Sequence, residues 1–507
     1  MTTQSDHPPP AVHEVPPPRS VAVFAGLRLD THKRTSTLRP VRPASLPAEI
    51  VLPLDQHSDG ATVVTVQPGD IVMRGQPIAR PQSDTGAWLH ASVSGRVVAI
   101  EPRLAPHHPG KPTLSIVIAN DGADHRYPDN APIDYQAFDP VRLCEHIARG
   151  GIVGLGGAMF PTAAKLLHAQ STTGIHLLLN GAECEPWISC DEMLMRERAQ
   201  DIVLGAKILS HAVSAARCTI AIENDMPDAH RTLTAAIKEN PATEGAATIE
   251  LAVVPRVYPA GGERQLITTL TDLEVPHDGL PSDIGMVCQN VGTAAAIARW
   301  IRDGEPLISR IVTITGSGVR EPGNLEVRIG TPLASAVADC GGYVGSVVKR
   351  IMGGSMMGVA LPDDTLPIIK GTNCFIAATA EDLRPRGEEM PCIRCGNCSF
   401  VCPALLLPQQ LHWHAAAGDL EALERFGLMD CIECGCCDYV CPSQIPLAQS
   451  FREAKPALAA HIGSRQQANL AKSRFDAREE RLEQREAERR SRLEEKRKAA
   501  KEAKLAT

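Results

Sequence analysis

CIRCGNCSFVCP (392–403) returns 39 residues later as CIECGCCDYVCP (431–442), and both copies read C-x2-C-x2-C-x3-C-P. Three thiolates from one tight loop reach three corners of a cubane iron–sulfur cluster. The fourth, turned away by the proline behind it, points to the neighbouring cluster. The register therefore predicts two 4Fe–4S clusters, one held by Cys392, Cys395, Cys398 and Cys441, the other by Cys402, Cys431, Cys434 and Cys437. Zinc is the competing reading, since paired C-x2-C also builds zinc ribbons, but zinc sites close on four ligands and rarely use a Cys-Pro fourth position twice. Cys436 adjoins Cys437, yet only Cys437 fits the register. The 28 residues between Cys402 and Cys431 look helical, and His412 and His414, two apart, are expected at the surface.

Nine of the 16 cysteines lie between Cys392 and Cys441. The other seven, Cys144, Cys184, Cys190, Cys218, Cys288, Cys340 and Cys374, share no ligand spacing and are expected as reduced, partly buried thiols. Residues 1–30 show no basic start followed by a long apolar core, so no secretory signal is visible and a reducing compartment is expected. No apolar run approaches the ~18–20 residues of a membrane helix, so attachment to a membrane would be peripheral. With 507 residues the chain has room for about three domains. Its 51 Lys and Arg against 59 Asp and Glu, and its 17 aromatic residues, offer neither the basic surface nor the stacking platforms of a nucleic-acid binder. From Ala471 to Thr507 the balance reverses to 13 basic against 9 acidic residues, with Glu486/Arg490, Glu488/Arg492 and Glu494/Lys498 spaced i,i+4. That pattern suits a solvated helix, or a basic arm that docks on a partner subunit or anionic lipid.

Outward from the cysteines the chain divides by pattern. Residues 1–30 are Pro-rich and polar, with Pro8, Pro9, Pro10, Pro16, Pro17 and Pro18, and are expected to be disordered. Residues 31–122 alternate short β-branched runs with Gly turns, the mark of a small all-β domain. GDIVMRGQPI (69–78) and SGRV (94–97) resemble the barrel-sandwich of biotinyl and lipoyl carriers, but PQSD (81–84) stands where a carrier presents its lysine, so a structural role is expected. Residues 123–306 take up a βαβ rhythm that predicts a mainly parallel, Rossmann-like α/β sheet. Residues 307–385 return to strands around one short helix near Pro332 to Asp339, an α+β domain of β-grasp (SLBB) type, with Met356 and Met357 expected to fill the core. A helix-rich two-cluster ferredoxin-type domain (386–455) and a charged helical tail (456–507) complete a multidomain α/β and α+β chain.

Clusters carry single electrons and cannot accept a hydride, so a nicotinamide donor would need a flavin between. GGIVGLGGAMFPTAAK (150–165) is a candidate seat: successive glycines let amides approach a phosphate, the helix that follows favours the anion, and Lys165 adds charge. The loop resembles the GxxGxGGAGFPTxxK loop of the flavin-bearing, NADH-oxidising subunit of respiratory complex I. NGAECEP (180–186), GGE (261–263) and QNV (289–291) match further motifs of that subunit in order. The resemblance implies that Gly154, Gly156 and Lys165 hold the phosphate of FMN, that Asn180, Glu183 and Asn290 line the flavin, and that Phe160 and Glu185 face the nicotinamide. Met159, Ala182 and Gln289 depart from the pattern. So does Arg264, which reverses a charge near the expected NAD(H).

Taken whole, the chain resembles the RnfC family of the Rnf/Rsx ion-translocating electron transport complexes, through YPAGGERQLI (258–267), GLPSDIGMVCQNVGTA (279–294), SRIVTITGSGVREPGN (309–324) and GGSMMGVAL (353–361). The resemblance implies a peripheral subunit on the cytoplasmic face of the inner membrane, with two 4Fe–4S clusters and non-covalent FMN. It would exchange electrons between NAD(H) and the other subunits of the complex, a ferredoxin-like iron–sulfur protein among them, where ions move. A soluble flavin and iron–sulfur cobalamin (corrin) reductase, or a cluster-bearing scaffold with no working dinucleotide site, are the alternatives.

Overall fold

The structure, a computed structural model, describes residues 25–56, 62–83, 85–107, 110–241, 245–385 and 387–505. Most of the Pro-rich segment expected to be disordered, and Asp84 of the carrier-like hairpin, lie outside the described residues. The chain forms two compact units, divided between Glu388 and Glu389.

In the first unit, two antiparallel sheets make the barrel-sandwich. One orders Glu49–Pro53, Pro112–Asn120, Gly95–Leu104 and Ile71–Val72, and the other Thr62–Val64, Pro77–Pro81 and Leu89–His90. Ile50 and Leu52 from one strand, and Ile116 and Ile118 from its neighbour, are fully buried between them.

The βαβ segment forms a four-stranded parallel sheet in the order Thr248–Val254, Arg217–Glu223, His176–Gly181, Met286–Asn290. Leu177, Leu178 and Leu179 of the central strand are all fully buried, as a strand covered on both faces requires. The chain leaves this strand on one side, winds outward through two strands, and returns on the other side at Met286–Asn290. The order therefore reverses beside His176–Gly181, and the C-terminal ends of these two neighbours form the switch point at which open parallel sheets offer a ligand crevice.

The third layer is a six-stranded mixed sheet, Arg42–Pro43, Gly323–Arg328, Ser309–Thr315, Cys374–Ala378, Lys349–Met352, Val359–Leu361, packed on the helix Leu333–Asp339. Met357 departs from the expectation of core filling. It lies 45% exposed in the 353–358 turn, which turns its backbone rather than its side chain inward. Leu27, inside the segment expected to be disordered, pairs with Tyr258, and Val41, expected in the all-β domain, donates its N–H to Glu197.

The second unit is helical. Short helices at Asn397–Phe400, Pro408–Ala417, Leu420–Arg425 and Cys436–Val440 surround Leu411, Leu423 and Leu428, and the 59-residue helix Leu447–Leu505 adds Phe451 and Leu458 to that core. Residues 464–502 of the long helix are exposed throughout.

Glu326 ties the six-stranded sheet to the parallel one. Its carboxylate accepts from Arg198, and from Arg299 at 2.8 Å. Burial pushes its pKa up, but the Arg198 hydrogen bond and the Arg299 charge outweigh it and hold the group at about 2. A depressed carboxylate stabilises the fold above its unfolded value near 4.5 and loses that contribution as pH falls towards 2. Glu326→Gln is expected to destabilise the first unit by on the order of 3 kcal/mol at neutral pH. The deficit should shrink progressively below pH 4.5, as read in thermal melts of both proteins across that range.

Candidate functional site

The crevice of the parallel sheet gathers most of the flavin-site residues expected from sequence. Asn180 and Asn290 end adjacent strands and are direct register partners. Asn180 accepts the N–H of Ala182 at 3.0 Å and donates to the Gly261 carbonyl at 2.7 Å. Asn290 caps the helix Val291–Asp303 through the N–H of Gly292 at 2.7 Å and donates to Asp191 at 2.6 Å. Both amides are thus fixed before any ligand arrives.

The glycine loop lies beside them. It is pinched at its base by the Val153/Pro161 bridge and by the N–H of Gly154 on the Phe160 carbonyl at 2.8 Å, while the N–H of Leu155 reaches Thr293 at 2.9 Å. Gly156 packs against the Asn290 side chain, and a Cβ built at Gly157, whose φ is +111°, meets nothing. The N–H groups of Gly156 and Gly157 donate to no partner among the described residues. An open loop with undirected amides at a switch point fits a phosphate group, and the site as a whole fits FMN.

Other expected residues are engaged in ways the sequence did not indicate. Lys165, on the helix Thr162–Ala169, donates to the Glu263 carboxylate and to the Cys288 carbonyl at 2.7 Å. Glu183 is buried, and its two oxygens accept the N–H groups of Asp191 (2.9 Å) and Glu192 (3.2 Å), the first turn of the helix Cys190–Glu197. Glu185 accepts the N–H groups of Met356 and Met357 at 2.7 and 3.0 Å, against Gly354, where any side chain would collide with it. Phe160 is 48% exposed. Arg264 places its guanidinium on the carbonyls of Pro276 and Gly279, both at 3.0 Å, so its charge is absorbed by a neighbouring loop.

Lys33 is the residue that sequence reading missed here. Fully sequestered with Glu183, it donates to the Glu183 carbonyl and lies 3.7 Å from the carboxylate. Burial lowers its pKa, but the surrounding carboxylates, Glu183 first and then Glu223 and Glu192, reverse this and raise it. Glu223, at the end of the next strand, has both oxygens buried without a hydrogen bond among the described residues. Burial pushes it up to about 7 against the pull of Lys33. Asp191 likewise rises to about 7 through burial and the Glu183 charge.

In the second unit the cysteines wall two cavities. Cys392, Cys395, Cys398 and Cys441 line one, with Ile445 and Leu447. Cys402, Cys431, Cys434 and Cys437 line the other, with Leu411 and Phe451. Each cavity thus brings together three spaced cysteines of one copy and the last of the other, and the second also takes in Cys436. Arg394, Gly396 and Leu405 of the first copy have positive φ, and so do Glu433, Gly435 and Gln444 at the equivalent positions of the second, so the backbones coil alike around the two sites. Amides of Leu406 and Glu433 donate to the sulfurs of Cys402 and Cys431, both at 3.4 Å. Among the described residues no carboxylate lines the first cavity. In the second, Glu433 is engaged by Lys455 (2.7 Å) and Arg452 (2.8 Å). Two sulfur-lined cavities with largely apolar walls fit clusters. His412, expected at the surface, is half-buried and lines the first cavity, because its helix turns that face towards the cysteine loop. His414 stacks on Phe426.

Residues 22–123 match the family model described as the RnfC barrel sandwich hybrid domain, 147–299 the Nuo51 FMN-binding domain, 311–360 the SLBB domain and 390–445 the 4Fe-4S dicluster domain. The C-subunit of the ion-translocating oxidoreductase complex of Pseudomonas aeruginosa is 46% identical over 468 residues, which cover 92% of this chain and 59% of that protein. Its namesake from Rhodobacter capsulatus is 41% identical over 443 residues, 87% of this chain and 84% of its own. The chain spans about 60% of the length of several such relatives. A solved NAD+-reducing NiFe-hydrogenase in the H2-reduced state overlaps 66% of this chain and 64% of its own at 19% identity and a TM-score of 0.44, too loose a likeness to argue from.

The buried Lys33 knot has a measurable consequence. Lys33→Met leaves Glu183 and Glu223 buried without their cation and is expected to destabilise the first unit by about 3–5 kcal/mol. Lys33→Met/Glu183→Gln should be milder than Lys33→Met alone, because it also removes a stranded carboxylate. Thermal melts of the two variants check this ordering.

Proposed function

The chain belongs to the RnfC family, the C-subunits of ion-translocating oxidoreductase complexes, and on that premise we propose that it passes electrons between NAD(H) and partner subunits in a membrane. FMN and two 4Fe–4S clusters are its cofactors, and the transfer is coupled in the assembled complex to ion movement. The observation that carries this reading is the pair of crossed four-cysteine cavities. A chain built only to bind a flavin has no use for them.

When bound, FMN exchanges a hydride with NAD(H) and single electrons with the clusters. The chain's own residues hold and orient. Gly156 presents its amide to the phosphate, Gly154, whose own N–H is held by the Phe160 carbonyl, shapes the base of the loop, and Lys165 adds a charge whose strength Glu263 tempers. Asn180 and Asn290 line the flavin with side chains that their own hydrogen bonds hold in place. Glu183 acts one step back, fixing the helix whose Asp191 orients Asn290. Phe160 offers an exposed ring to the nicotinamide, and Glu185, assigned to the same role, is a carboxylate pinned by backbone amides.

Cys392, Cys395, Cys398 and Cys441 hold one cluster, and Cys402, Cys431, Cys434 and Cys437 the other. No described helix is long and apolar enough to cross a membrane. The chain attaches to its complex peripherally, on the cytoplasmic face, and the exposed basic helix beyond residue 464 is the docking arm for a partner subunit.

Anaerobically reconstituted full-length protein is expected to hold about eight iron atoms and one FMN that NADH bleaches. Full iron with a flavin that NADH leaves oxidised would reduce the chain to a cluster scaffold. Cys441→Ser is expected to alter the EPR signal of the cluster held by Cys392, Cys395 and Cys398. A change confined to the other cluster would refute the crossed ligand sets.

A further inference from the structure

Two buried cations lie beneath the glycine loop, and neither forms an ion pair among the described residues, although the Arg310 charge is felt by Asp191. Lys370 is 1% exposed, and its ammonium donates to the carbonyls of Trp88 at 2.8 Å and Gly151 at 2.7 Å. Arg310 is 5% exposed. Its guanidinium donates to the Leu155 carbonyl at 3.2 Å, to the Ile311 carbonyl at 3.3 Å and to the Lys370 carbonyl. Both come from the six-stranded layer, outside the βαβ segment that carries the loop.

Burying a charge without a counter-charge is costly, and folds avoid it unless something repays the cost. Burial alone draws the Lys370 pKa down to about 7, the response of an ammonium that no acid nearby supports. His90, the titratable group beside it, is itself held neutral by burial and by the Lys370 charge.

The contacts also set the direction of the loop. In a trans peptide the carbonyl and the N–H that follows it point opposite ways. Arg310 draws the Leu155 carbonyl inward, so the N–H of Gly156 faces away from it, and that N–H has no partner among the described residues. Gly371, next to Lys370, packs directly on Met159 and on the Gly157 carbonyl, seating the tip of the loop on the same support.

We propose that Lys370 and Arg310 are positioning residues of a phosphate cradle: they turn the amides of the glycine loop outward, and their buried charge is the counter-charge of the dianionic phosphate of FMN. This rests on the flavin reading above and goes beyond it, since it assigns phosphate recognition to a layer outside the flavin-binding segment.

FMN and riboflavin differ only in that phosphate, so the ratio of their affinities isolates it. Fluorescence titration of the iron-loaded full-length protein with each ligand gives the ratio. Lys370→Met is expected to weaken FMN by about tenfold or more and riboflavin by much less. Arg310→Gln should act in the same direction, with Arg310→Lys restoring part of the ratio, and it carries the test should Lys370→Met not fold. Equal weakening of both ligands, or failure of both neutral variants to fold, would assign the two cations to the fold alone and overturn the proposal. A wild-type protein that binds neither flavin would instead remove the reading on which it rests.

Discussion

The Lys370 ammonium, set between the carbonyls of Trp88 and Gly151, is the contact on which the first unit turns. Trp88 belongs to the barrel-sandwich, Gly151 to the glycine loop and Lys370 to the six-stranded layer, so one side chain fixes three layers at a single point. Desolvation makes the contact exacting. An ammonium in so dry a place needs every acceptor it has, and losing either carbonyl would leave it without compensation. The barrel-sandwich carries no lysine in the described part of its 81–86 hairpin, and its part is to supply this wall. Gly151 shows how tight the fit is. Its φ is +69°, and a side chain there would strike the same Trp88 carbonyl.

What the sequence disclosed follows the separation of the interacting residues. The grouping of the cysteines into two cavities was legible because three of each four lie within seven residues, and a proline marks the fourth. The parallel strands were legible because strands buried on both faces read as continuous apolar runs, as in Leu177, Leu178 and Leu179. The supports of the flavin site were not. Lys33 meets Glu183 across 150 residues, Arg310 meets Leu155 across 155, and Lys370 meets Gly151 across 219. In the sequence each is a charged residue beside apolar neighbours, and only the fold says that none of them reaches water. Lys165 shows the converse. Its place after the glycine loop suggested a free cation, but Glu263, 98 residues away, shares its charge.

The same distinction explains Glu183 and Glu185. Motif likeness places both carboxylates at the flavin, and in the structure both accept backbone N–H groups in its walls. A carboxylate that satisfies two amides at the start of a helix stabilises that helix and fixes its direction. Asp191 lies on the helix that Glu183 caps, and Asp191 in turn holds Asn290. A motif residue can therefore be required for the site without touching its ligand, and motif spacing cannot tell the two cases apart.

The two cysteine sites, alike in backbone, differ in their surroundings. In the first, Cys395 is exposed and its three companions are half-buried. In the second, Cys402, Cys434 and Cys437 are buried and Cys431 alone is half-buried. The second cavity also holds a fifth sulfur: Cys436, fully buried, stands where the first copy has Asn397. Cluster potentials respond to solvent exposure and to hydrogen bonds on sulfur. Two clusters of one type in these cavities would therefore sit at different potentials, although their ligand spacing is identical. The repeat duplicates the cysteine spacing, and the packing of Leu411 and Phe451 over only one of the cavities makes the two sites unequal.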